Sequence, residues 1–172
     1  MEHGLDFLKS QVNNAVMQHR TFVQAVEDHE AQAEDPRFRD LCARFLVRAQ
    51  EHQRMLEEYQ RTLGTEEGVV KKAAGVAFGV ARDLADVVRE SDFLRLVGDI
   101  VLARQAEDTF KTFREAGRQL GLTELARIGD IGERHHDEYV KDANRLAQQL
   151  FVERVRGAES AIRASEQARP VI

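Results

Sequence analysis

Among its 172 residues the chain has one cysteine, two prolines, two tyrosines and no tryptophan. A lone cysteine excludes an intramolecular disulfide and a multi-cysteine metal knuckle, and a reducing compartment is the simplest setting for it. Two prolines leave long stretches in which a helix meets no break. No apolar run approaches the ~20 residues of a membrane-crossing helix, and the opening MEHGLDFLKSQ lacks a basic segment followed by an apolar one. Both absences point to a soluble cytoplasmic protein that does not insert in a membrane. Basic runs are missing too: 25 Lys and Arg stand against 30 Asp and Glu, for a net charge of −5, so no concentrated cationic face offers itself to nucleic acid. There is no glycine-rich phosphate loop, no dinucleotide fingerprint and no Gly-x-Ser-x-Gly turn.

What is present is helix-forming: 42% hydrophobic and 32% charged residues, rich in Ala, Leu, Glu, Gln and Arg. The length suits one domain with a substantial core, taken as residues 1–172. From about Leu5 to Glu34, the residues Leu5, Leu8, Val12, Val16, Phe22, Val23 and Val26 recur at three- and four-residue spacing, which predicts a first long helix. Asp35 and Pro36 supply an N-cap and a first-turn proline for a second, striped by Phe38, Leu41, Phe45, Met55, Leu56, Tyr59 and Leu63 and ending at Gly64. Ser91 caps a third, whose buried face reads Phe93, Leu96, Val97, Ile100, Ala103, Phe110, Phe113 and Leu120 before Gly121 stops it. Thr123 is the expected cap of the fourth, with Leu125, Ile128, Gly132, Tyr139, Ala143, Leu146 and Leu150 inward and a break near Gly157. A C-terminal extension, 157–172, follows, its last few residues expected to be frayed.

Short turns make helices 1 and 2, and helices 3 and 4, antiparallel hairpins, whereas residues 64–90 form a crossover long enough to run the length of the molecule. Val69, Val70, Ala73, Ala77, Val80, Ala81, Leu84 and Val88 predict an amphipathic helix within it. Its polar face carries acids as well as bases, which favours packing on the protein over lying on a membrane. The fold class is therefore all-α, an antiparallel four-helix arrangement with a helix-containing crossover.

Five residues interrupt the apolar stripes at one depth: His19, His52, Glu107, Glu133 and His136. Burying such groups is costly unless they pair, hydrogen-bond or hold a metal. Folding helix 1 onto helix 2 about Asp35 sets Leu8 against Leu63, Val12 against Tyr59, Val16 against Met55 and His19 against His52. Folding helix 3 onto helix 4 about Gly121 sets Val97 against Leu146, Ile100 against Ala143 and Glu107 against His136. The two polar pairs lie roughly 25 Å and roughly 22 Å from their turns, so all can share one layer. Glu133 precedes His136 by three residues, which projects both from one helical face.

Four helices with a long crossover between the second and third, and inward Glu and Glu-x-x-His residues, resemble the ferritin-like di-iron carboxylate proteins. In that family two helices each give one Glu and the other two each give a Glu-x-x-His. The resemblance spans roughly residues 5–152. It implies that Glu107 is the lone glutamate of the second hairpin, that Glu133 and His136 are its Glu-x-x-His, and that His52 is the histidine of the first hairpin's motif. Ala49 stands where that motif has Glu, and His19 stands near the place of the first-helix Glu. The ligand set is thus degenerate. It argues against an intact di-iron centre and for one divalent transition metal, Fe, Zn or Mn, in a mixed His/Glu shell of Glu107, Glu133, His136, His52 and His19. The implied role is metal handling or protection from oxidative stress.

A second reading stays open: Arg48 and Arg104 neutralise Glu107 and Glu133, and the histidines are ordinary hydrogen-bonded groups in a metal-free adaptor or structural stress protein. His135 competes with His136 as the inward residue. His29 and Cys42 face one another in the hairpin register and form at most a structural pair, Tyr59 and Tyr139 read as core, and Asp99 and the acids from Glu27 to Asp35 read as surface charge. A homodimer is expected on general grounds.

Overall fold

In the computed structural model, which describes residues 4–65 and 91–167, every regular element is an α-helix. The elements are α1 (Leu5–Gln32), α2 (Pro36–Thr62), α3 (Asp92–Leu120), α4 (Thr123–Val155) and a short α5 (Glu159–Gln167). The expected crossover helix falls on residues outside those described, as do the last five of the C-terminal extension. Among the described residues no helix is long and apolar enough to cross a membrane.

The turns form as their residues dictate. Asp35 caps α2 by accepting a hydrogen bond from the Arg37 backbone N–H at 2.8 Å, and Pro36 fills the first helical position, where no N–H is needed. The Asp35 backbone N–H donates to Asp92 Oδ2 at 2.6 Å, which ties the first hairpin's turn to the start of α3. Ser91 Oγ accepts from the Leu94 N–H at 3.4 Å, and Gly121, at φ 69°, closes α3 in the left-handed region that a side chain would disfavour. Thr123 is not a cap: it is the first residue of α4, and Leu122 occupies the N-cap position without a side-chain bond. The break at Gly157 is present, and α5 beyond it buries no residue.

Each hairpin packs on itself and on the other, α1 with α2, α3 with α4, α2 with α4 and α1 with α3. The tightest approach is between α3 and α4. Gly117 lies on Ala126, Gly129 on the backbone of Phe110 and Arg114, and Gly132 on the Phe110 ring, each too close for a methyl group. The register is the one expected from folding about Gly121. Three residues assigned to apolar faces are exposed instead, Leu5 at 57%, Val97 at 37% and Leu120 at 70%, because they stand at the edge of a stripe or the end of a helix.

The core is divided. One apolar cluster gathers Phe22, Phe38, Phe45, Ala49, Tyr139 and Leu146, and the other Val12, Val16, Leu56, Phe110, Phe113 and Ile128. Along α1, His19 stands between Val16 and Phe22. His52 stands between Ala49 and Leu56 on α2, and His136 between Ile128 and Tyr139 on α4. A polar layer therefore separates the two clusters at mid-length.

Candidate metal centre

His52 and His136 are wholly buried and His19 is 2% exposed. The three rings crowd together, with centroids 5.9 Å apart for His19 and His52, 5.2 Å for His19 and His136, and 5.1 Å for His52 and His136. One ring nitrogen of each lies within 4.8 Å of the other two. Three rings of phenylalanine wall the cluster: Phe110 is 5.1 Å from His136 and 5.5 Å from His19, Phe45 is 5.3 Å from His136, and Phe22 is 5.5 Å from it.

Hydrogen bonds fix the tautomers of His19 and His136. Gln53 Nε2 donates to the Val16 carbonyl at 3.2 Å and to Glu57 Oε1 at 2.8 Å, so its Oε1 must face His19 Nδ1, 3.0 Å away. His19 Nδ1 therefore carries the proton and Nε2 a lone pair. Arg20, bonded to Glu57 at 2.8 Å, holds the outer end of that chain. His136 Nδ1 lies 2.7 Å from the Gly132 carbonyl, which only accepts, so Nδ1 donates and Nε2 again keeps a lone pair. His52 Nε2 meets His135 Nδ1 at 2.9 Å, a bond that either ring can donate; when His52 donates, its Nδ1 keeps the third lone pair. His19 Nε2, His52 Nδ1 and His136 Nε2 are all buried without a hydrogen-bond partner.

Such a cluster resists protonation. Burial pushes His19 down to about 4, against the pull of its Gln53 bond, and His136 down to about 3, where burial is reinforced by the charge His19 would carry. His52 is driven down further, first by burial and then by the neighbouring imidazoles. All three are neutral bases at neutral pH. Each ring keeps one buried nitrogen without a partner, a costly arrangement, and an ion held between the rings would satisfy all three. Nitrogens 2.0–2.1 Å from one ion stand about 3.3–3.6 Å apart, so an inward movement of under about 1 Å per ring closes this set. The residues fit a metal.

The two carboxylates expected in the shell are held elsewhere. Glu107 accepts from Arg104 at 2.7 Å and Glu133 pairs with Arg114 of α3; neither belongs to the group of mutually close donors. The expected pairing of Arg48 with this layer does not form, since it meets Glu138 at 2.7 Å on the surface. Arg114 was not singled out in the sequence, because nothing local shows that α3 aims it across at α4. His135 is half-buried, bonded to His52, and not one of the three central rings.

A second polar group lies on the other side of Phe45. Asp99 is not surface charge: it is completely buried, accepting from the Tyr139 hydroxyl at 3.2 Å and lying 3.0 Å from His29 Nδ1. Burial raises its carboxyl, opposed by the His29 and Tyr139 bonds. His29 is thereby taken by Asp99 and not by Cys42. The Cys42 thiol is fully buried, and burial with the nearby Asp99 raises it out of reach of ionisation.

Comparison of the chain with protein-family models, curated proteins and solved structures finds no match. The functional reading therefore rests on the site itself.

Proposed function

We propose that the chain is a metal-binding protein in which His19, His52 and His136 hold one transition-metal ion at the middle of a ferritin-like four-helix bundle, with a role in metal handling or protection from oxidative stress. The observation that carries this reading is the trio of buried ring nitrogens without partners, His19 Nε2, His52 Nδ1 and His136 Nε2, on three rings packed against one another. Each ligand ring is oriented by a second bond, to Gln53, His135 or the Gly132 carbonyl, as metal-bound histidines usually are. The antiparallel hairpins and the long stretch between α2 and α3 support the ferritin-like architecture, with the two carboxylates of that family's set that this chain keeps, Glu107 and Glu133, diverted into ion pairs. Elemental analysis of protein purified without added metal, beside His19→Leu and His136→Leu variants, tests it. Close to one equivalent in the parent and none in the variants is expected; negligible metal in all three removes the proposal.

The Arg104–Glu107 and Arg114–Glu133 pairs favour a second reading, a metal-free helical adaptor whose layer is held by ion pairs. Under it, replacing the histidines by leucine changes nothing but stability, and improves that by relieving buried unpaired nitrogens.

A further inference from the structure

We infer that the ion this site is built for is monovalent copper, an assignment that rests on the three-histidine reading above. Charge is the first reason. Among the described residues no carboxylate or thiolate shares the donor set, and the two acids expected there, Glu107 and Glu133, are paired with arginine instead. Three neutral imidazoles leave the full ionic charge inside an aromatic wall. The cost of burying an ion rises with the square of its charge, so a monovalent ion meets about one quarter of the penalty of a divalent one.

Coordination number is the second reason. Among the described residues the donors come to three, one each from α1, α2 and α4. Zinc takes a fourth ligand, commonly water, and ferrous or manganous ions favour further oxygen donors. Cuprous copper, with a filled d shell, is satisfied by two or three, and imidazole is among its ligands.

The test uses the full, metal-stripped chain. Under anaerobic ascorbate, Cu(I) is offered in competition with the chromophoric chelator bicinchoninate, and Zn(II) and Fe(II) are titrated in parallel under the same buffer. Expected is one equivalent of Cu(I) withdrawn from the chelator, silent in electron paramagnetic resonance, with three nitrogen scatterers in X-ray absorption and Zn(II) bound at least tenfold more weakly. Zn(II) or Fe(II) bound as tightly as Cu(I) overturns the copper assignment while leaving the three-histidine site standing. No metal bound at all overturns both. His19→Leu and His136→Leu, checked for native helical circular dichroism, are expected to lose the equivalent; Cu(I) retained in both places the copper elsewhere and overturns the inference. The parent's own selectivity decides the question even if a variant fails to fold.

Discussion

Mild acid is expected to unfold the metal-free protein, and the reason lies in the same rings. In the unfolded chain each histidine titrates near 6.5, whereas the folded state holds His19 at about 4 and His136 at about 3. A depressed folded value means that below pH 6.5 the unfolded state binds more protons, so stability falls as pH falls, down to about 4 for one ring and about 3 for the other. Each histidine contributes a slope of about 1.4 kcal/mol per pH unit, so from pH 6.5 to 5 each removes about 2 kcal/mol. His19 and His136 together remove about 4 kcal/mol, and His52, shifted in the same direction, raises the loss to about 6 kcal/mol. That is comparable with the whole stability of an ordinary domain, about 5–15 kcal/mol. The carboxylates with lowered values, Asp35, Glu57, Glu124 and Glu153, act only at lower pH, and Asp99, raised by burial, acts in the opposite sense. Urea midpoints of the metal-free chain measured from pH 7.5 to 5 are expected to fall steeply, and to fall by about one histidine's slope less in His19→Leu. Midpoints that do not change over that range would refute neutral burial of the cluster.

Three further outcomes follow from the packing and the ion pairs. Gly129→Ala puts a methyl group into the backbone of Phe110 and Arg114; overpacking of this kind costs about 1–3 kcal/mol or more, read as a lower midpoint in urea, and an unchanged midpoint would mean that α3 and α4 stand further apart. Gln53→Leu leaves the His19 ring without the acceptor that orients it, and loss of such an orienting bond weakens metal binding about 10- to 100-fold, measurable by chelator competition. Glu107→Gln removes the partner of a half-exposed arginine, so a stability change under about 1 kcal/mol and an unaltered metal content are expected by denaturation and elemental analysis; loss of metal would return Glu107 to the ligand shell.

The elements were legible because their causes are local. Asp35 with Pro36, Ser91 and Gly121 each place a boundary through the backbone of a few neighbouring residues, and apolar spacing names the face. The layer was legible in part: His19, His52 and His136 sit on those faces at a depth set by the hairpin turns, but the spacing also placed Glu107 and Glu133 among them and left His135 open beside His136. Legibility failed at the edges of a stripe. Asp99 and Val97 stand near one another on α3, yet Asp99 is buried and Val97 is 37% exposed, an outcome set by how far the helix rotates against its neighbours. The glycines at 117, 129 and 132 let α3 and α4 approach closely, and that approach fixes where their polar side chains point.

The sequence by itself determined the long helices, the two tight turns and the presence of histidines at mid-length on the apolar stripes, because helical periodicity and turn chemistry act over a few residues. Only the tertiary structure decided what that layer is made of. Arg114 reaches Glu133, Gln53 orients His19 and His135 engages His52 from different helices, and such choices depend on helix rotation and side-chain reach that no spacing along the chain encodes.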